Sequence, residues 1–157
     1  MSSYENEISG NIISENTYGG IFFSGDVLDT DVKNNLVTKN GEYGFYIGWG
    51  FDSNNLTLNN IAENGVLNTS SGGYEYNFYN DHPENIDATG NWWGTTDNDT
   101  INASIYDKYD DVGVGIVIYN PKLTSSSPGA PVPEIATLVL LAIGLLVIIG
   151  YVRIRSK

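Results

Sequence analysis

The chain has 157 residues, room for one modest core, and no cysteine, so neither a disulfide framework nor a thiolate metal site belongs to it. Nineteen acids outweigh seven bases, and three of those bases, Arg153, Arg155 and Lys157, lie in the last five residues. Residues 1–134 therefore hold four lysines, no arginine and all 19 acids, a net of −15, and such a surface repels phosphate backbones and argues against nucleic-acid binding.

The opening MSSYENEISGN has neither a basic n-region nor an apolar h-region, so a natural start upstream of Met1 is expected. A repeat is already running at residue 6. Three segments stand in register at a spacing of 24: residues 6–16 (NEISGNIISEN), 31–40 (DVKNNLVTKN) and 55–64 (NLTLNNIAEN). Ile8, Val32 and Leu56 fall together, as do Ile13, Val37 and Ile61, and likewise Asn11, Asn35 and Asn59, then Asn16, Asn40 and Asn64. The register extends to Gly20 and Gly44, Ile21 and Phe45, and Phe23 and Ile47.

Within each unit apolar residues alternate over short runs, as in Ile21 and Phe23 or Leu56 and Leu58, the period-two signature of strands. Asn and Gly separate the runs and are expected to supply the left-handed or turn conformations at the bends. A unit of this kind fits one rung of an all-β coil. Stacked rungs form parallel sheets about 4.8 Å apart, with Asn16, Asn40 and Asn64 as a ladder of side-chain amides.

The pattern from Asn11 to Asn16, followed by Tyr18 to Ile21, resembles the right-handed parallel β-helix repeats of NosD-like and pectate-lyase-like proteins over roughly residues 5–93. That resemblance implies three to four rungs and a surface-exposed protein.

Residues 65–73 (GVLNTSSGG) break the register as an inserted loop, residues 74–80 are strand-like, and residues 85–88 resume the alternation as an incomplete fourth rung. Residues 86–97 (IDATGNWWGTTD), 101–111 and 117–121 resemble the terminal module of many archaeal and bacterial β-helix surface proteins. Thr100 to Asp111 reads as a short capping helix, with Asp99 as N-cap and Ile101, Ile105 and Tyr109 as an apolar stripe closing the coil. Trp92 and Trp93 are either packing for that cap or an aromatic platform for a sugar.

Polysaccharide lyases on this fold use an Arg or Lys base beside calcium-holding acids, and the four lysines of residues 1–134 (Lys33, Lys39, Lys108 and Lys122) do not sit in acid-rich repeat positions. His82, the one histidine, has no nucleophile motif around it, so no catalytic triad is expected. Asp97 and Asp99 resemble the start of a calcium loop but lack its glycine and closing glutamate, which leaves a weak calcium site there as the one cofactor expectation.

Residues 122–134 (KLTSSSPGAPVPE) read as a loose Ser/Pro/Gly linker after a coil and cap spanning 1–121. Residues 135–152 are 18 uncharged residues, enough for a transmembrane helix of about 27 Å, and the basic residues of 153–157 place the tail in the cytoplasm by the positive-inside rule. Pro133 and Glu134 before this span resemble the sorting signals of PEP-CTERM and PEF-CTERM proteins, which implies a sortase-type processing enzyme as a partner; Ile135 departs from the family's Pro or Phe. The expectation is a single-pass cell-surface protein with a structural, adhesive or carbohydrate-binding role and no enzymatic activity of its own. The alternative is the C-terminal part of a carbohydrate-active lyase or hydrolase whose active site lies upstream of Met1.

Overall fold

Short strands in which every second side chain points inward cannot bury an apolar face alone, and here they do so by winding into a coil. The computed structural model describes residues 5–70 and 73–133. The first turn contains β1 (Glu7–Ser9), β2 (Ile12–Ser14), β3 (Gly19–Phe23) and β4 (Val27–Leu28); the second contains β5 (Asp31–Lys33), β6 (Leu36–Thr38), β7 (Tyr43–Ile47) and β8 (Phe51–Asp52). The third runs through β9 (Asn55–Thr57) and β10 (Asn60–Ala62), detours into a hairpin of β11 (Leu67–Asn68) and β12 (Gly73–Tyr74), and returns through β13 (Phe78–Asn80), before β14 (Ile86–Asp87) opens the fourth. The fourth holds α1 (Asn98–Asn102), β15 (Ile105–Tyr106) and β16 (Val117–Ile118). The result is an all-β parallel solenoid of about four turns.

Strands stack as β1-β5-β9, β2-β6-β10, β3-β7-β13-β15, β4-β8 and β14-β16, all parallel, whereas the β11–β12 hairpin is antiparallel. Ile8, Val32 and Leu56 form one column, and Ile13, Val37 and Ile61 a second, in the expected register. Ile21, Phe45, Phe78 and Ile105 form a third. Val32, Val37, Phe45 and Phe78 are fully buried, and each such side chain contributes about 1.5–3 kcal/mol of hydrophobic stabilisation.

The asparagine ladders run at the corners between sheets. Asn40 Nδ2 donates to Asn64 Oδ1 at 2.8 Å and Asn16 Nδ2 to Asn40 Oδ1 at 2.8 Å, and the ladder continues from Asn64 to Asn77. A parallel ladder joins Asn11, Asn35, Asn59 and Asn91. The ladder asparagines do not themselves make the bends, as the sequence suggested. The residue before each one does: Gly10, Asn34, Leu58 and Gly90 precede one ladder, and Glu15, Lys39, Glu63 and Tyr76 the other, all at positive φ. A left-handed L-residue costs about 1–2 kcal/mol, which the buried amide hydrogen bonds of the next residue offset. Leu58 is therefore a corner residue, 40% exposed, and not the inward partner of Leu56 that alternation implied.

Two other expectations change. The helix covers only Asn98–Asn102, and its N-cap is Asp97, not Asp99. The Ser104 backbone N–H and hydroxyl both donate to the Ile101 carbonyl and end it, after which Ile105 pairs in parallel with Phe78 and Tyr109 is left 86% exposed. Strand pairing on an open sheet edge has won over a helical apolar spacing.

The segment expected to be a loose linker lies along the coil for most of its length. Leu123 N–H donates to the Asn91 carbonyl, Ser127 N–H to Asn60 Oδ1 at 2.7 Å, and Ser127 and Ala130 are buried. Glu134, the apolar span 135–152 and the basic tail 153–157 lie outside the described residues. Among the described residues no helix is long and apolar enough to cross a membrane.

Candidate functional site

Asp97 and Asp99 sit on the exposed surface before and within α1. Both oxygens of Asp97 are used locally: Oδ1 accepts from Asp99 N–H at 3.0 Å and Oδ2 from the Thr100 hydroxyl at 3.0 Å. Among the described residues no group of three or more His, Cys, Asp or Glu could hold a metal ion. His82 is buried, its Nδ1 accepting from Glu84 N–H at 3.2 Å, which makes it a turn-stabilising residue.

The two tryptophans separate. Trp92 forms a parallel bridge with Asn60 and is half-buried. Trp93 follows in register with Ile61, where it extends the second core column; it is 2% exposed and packs near Phe78 and Tyr119, so its ring has no face open to a sugar. Pro133 is exposed, and Glu134 lies beyond the described residues.

The structure brings together a different aromatic set on the outer face of the β3-β7-β13-β15 sheet. Ile21 and Phe23 point inward, so Phe22 points outward; the same alternation places Tyr46, Tyr79 and Tyr106 directly in line with it. Phe22 and Tyr46 stack with ring centroids 4.7 Å apart, Tyr46 and Tyr79 at 5.3 Å, and Tyr79 and Tyr106 at 4.2 Å. Tyr43 and Tyr76 flank the column, each 5.3 Å from its neighbour, Tyr46 and Tyr79 respectively. Gly19 permits this, because a Cβ there would stand 1.9 Å from the Tyr43 ring. The outward positions of the other two large sheets hold mainly small or polar residues such as Ser9, Lys33, Thr57, Ser14, Thr38 and Ala62.

The tyrosine hydroxyls are tuned by this packing. Tyr46 Oη donates to Asp81 Oδ2 at 2.5 Å. Burial first, then that hydrogen bond, raises the Tyr46 hydroxyl well above the ordinary phenol range. Burial, with the Tyr106 hydrogen bond second, pushes Tyr79 up to about 12. Tyr43 and Tyr76 are also raised, by burial first and then by the charges of Glu42 and Glu75.

Between this face and the β11–β12 hairpin lies a groove of about 360 Å³ lined by Glu42, Tyr43, Tyr46, Glu75, Tyr76 and Tyr79, with Val66 on the hairpin side. A larger open space of about 500 Å³ sits over the fourth turn. Its buried Asp107 is committed to the fold, since Oδ1 accepts from Tyr109 N–H and Oδ2 from Val117 N–H.

Set against family models, curated proteins and solved structures, the chain gives no significant match to any. The groove is lined by four tyrosines and two carboxylates, with no lysine or arginine among its lining residues. What the arrangement offers is binding chemistry: apolar ring edges, a row of hydroxyls and negative charge. Sequence reading passed over it because only Phe22 and Tyr46 keep the 24-residue spacing; the hairpin insertion displaces Tyr79 and Tyr106 from that register.

Proposed function

We propose that the chain is an outward-facing, membrane-anchored surface protein, a right-handed parallel β-helix of the NosD-like and pectate-lyase-like kind, whose aromatic sheet face adheres to polysaccharide or cell-surface glycan. The observation that carries this reading is the gathering of six aromatic rings on one outer face, while the outward positions of the other two large sheets hold no aromatic ring. Sugars offer apolar C–H surfaces and many hydroxyls, and tyrosine matches both with an apolar body and a polar tip. Phe22, the outermost described ring of the column, is 57% exposed. The stacked tyrosines also support the coil, at about 0.5–1.5 kcal/mol per pair, but stacking alone gives no reason to confine aromatics to one sheet.

The strongly acidic residues 1–134 favour a neutral or cationic glycan and disfavour an anionic one. The apolar run at 135–152 and the bases after it support anchoring with the coil outside the cell. Native electrophoresis of the full chain through gels containing neutral or anionic polysaccharides tests the glycan reading. Retardation by a neutral polymer, abolished in a Phe22→Ser/Tyr79→Ser variant that still folds, is the expected result. Equal migration in every gel, or retardation untouched by the double substitution, would overturn it. Mass spectrometry of the mature C-terminus tests the tail: an intact Lys157 means a retained anchor, and a C-terminus near Pro133 means processing at the sorting-like motif.

A further inference from the structure

We infer that the groove between the tyrosine face and the β11–β12 hairpin is a binding site for an ammonium group, either quaternary or protonated. This goes beyond the glycan reading and does not rest on it, since the smallest ligands of this class contain no sugar.

The geometry points there in three ways. First, the rings surround one space at different inclinations. Tyr46 and Tyr79 are within 9° of parallel, Tyr76 stands at 79° to Tyr79, and Tyr43 is inclined by 46° to Tyr46. A single stacked column exposes mainly ring edges, whereas Tyr43 and Tyr76, which also line the groove, are inclined to the stacked rings, so the four rings around this space do not share one orientation. A cation within about 6 Å of a ring centroid is attracted by the ring quadrupole, and aromatic cages for alkylammonium groups exploit this with several rings at once.

Second, the charge has the right sign. Glu42 and Glu75 line the groove and no lysine or arginine does. Both carboxylates are close enough to act on the tyrosines electrostatically, Glu42 on Tyr43 and Glu75 on Tyr76. Their combined field favours a cation and disfavours an anion in the same space.

Third, the size is right for a head group. A volume of about 360 Å³ lies at the low end for small-molecule sites and suits a compact ligand. Val66, on the hairpin, supplies an apolar wall against which methyl groups can pack.

The test uses the full chain in a maltoside detergent, which carries no ammonium of its own. Choline, glucosamine and a neutral carbon isostere of choline, with tert-butyl in place of trimethylammonium, are titrated against tyrosine fluorescence and followed by NMR. The expected result is saturable binding of choline at least tenfold tighter than its isostere. Tyr76→Leu keeps an apolar side chain but removes the π-face, and it should weaken choline at least tenfold. Glu42→Gln/Glu75→Gln leaves every ring in place and should weaken it at least threefold. The glutamine pair keeps the test valid if Tyr76→Leu fails to fold. Tighter binding of glucosamine than of choline would assign the site to a protonated amino sugar, still an ammonium ligand. Equal binding of the neutral isostere, no saturable binding of either cation, or wild-type affinity in the folded variants would overturn the inference. A polysaccharide result leaves this outcome untouched, and the reverse also holds.

Discussion

Asn59 donates to Asn91 Oδ1 twice, from its backbone N–H at 2.9 Å and from Nδ2 at 3.1 Å, although 32 residues separate the two and not the 24 of the repeat. The extra residues are looped out, and the ladder closes as if they were absent. Asn59 Oδ1 accepts two bonds from Asn35, and Asn59 Nδ2 also donates to the Val32 carbonyl at 2.8 Å. Removing this side chain takes the partner from the Asn35 N–H and Nδ2 and from the Val32 carbonyl, all on the second rung, while Asn91 Oδ1 keeps only the Asn59 backbone N–H. At about 1–3 kcal/mol for each buried unsatisfied group, Asn59→Ala should cost at least about 3 kcal/mol. Asn11→Ala, on the exposed first rung, should cost about 1 kcal/mol. Urea unfolding of the two variants decides between a ladder that holds the coil and one that merely decorates it: similar costs would favour decoration.

Leu58 sits at φ 58°, in the corner where two other rungs place Gly10 and Gly90. A left-handed leucine costs about 1–2 kcal/mol, while glycine loses about 0.5–1 kcal/mol through greater freedom in the unfolded chain. At 40% exposure the residue is also more than half buried, so truncation loses part of the about 1.5–3 kcal/mol that full burial contributes, which offsets the relief of strain. Leu58→Gly should therefore shift stability by less than about 1 kcal/mol, well short of the about 2–5 kcal/mol of a core leucine truncation, seen as a nearly unchanged midpoint of thermal unfolding. A midpoint lowered as far as by a core truncation would mean that the leucine side chain contributes more than its exposure suggests.

The stacking columns were legible because two periods coincide in the sequence: alternation fixes which side chains face inward, and the 24-residue repeat fixes what lies above them. Ile8, Val32 and Leu56 needed nothing else. The fourth turn was harder to read. Ile101, Ile105 and Tyr109 have helical spacing, but the free edge of β13 offers Ile105 a strand partner that only the folded coil creates. The aromatic face was hidden by the same mechanism, since the hairpin shifts Tyr79 and Tyr106 along the chain without moving them off the column. Composition also misled over the last described segment, because nothing in Ser, Pro and Gly announces that Asn60 Oδ1 will take the Ser127 N–H.

Tyr79 gives a pH dependence of definite sign. Its hydroxyl is raised to about 12 in the fold, by burial first and the Tyr106 hydrogen bond second, against about 10 for an unfolded tyrosine. The folded state therefore holds the proton more tightly than the unfolded state. The associated stability is fully present below about pH 10 and is lost as pH rises through 12. Tyr46, raised in the same direction, reinforces the loss. Ultraviolet titration should show a late group, held by Tyr79 and Tyr46, ionising together with unfolding. In Tyr79→Phe the late group should shrink and alkaline unfolding should move to higher pH. Titration of all 11 tyrosines as one population near pH 10 would contradict the packing of this face.

The last prediction concerns the segment that lies back on the coil. Ser127 N–H is held by Asn60 Oδ1 at 2.7 Å in a buried site, and Gly129 passes so close to Asn34 that a Cβ would stand 2.4 Å from its Oδ1. These contacts join residues 67 and 95 positions apart and place the end of the described chain against the middle rungs, not beyond the fourth turn. Asn60 also takes part in strand β10, so its backbone pairing with Leu36 survives loss of the side chain. Asn60→Ala should accordingly free the segment and leave the coil folded. Hydrogen exchange at Ser127 and Ala130 should accelerate by at least tenfold, and limited proteolysis should cut between residues 124 and 130, whereas amides of Val37 and Phe45 keep their protection. Gly129→Ala should loosen the segment in the same direction but less, because the added methyl can be accommodated by a shift of the Asn34 side-chain amide. If both variants exchange like the parent, the segment is held by something other than these two contacts; if Val37 and Phe45 also lose protection, it is an integral part of the coil and not a strap laid upon it.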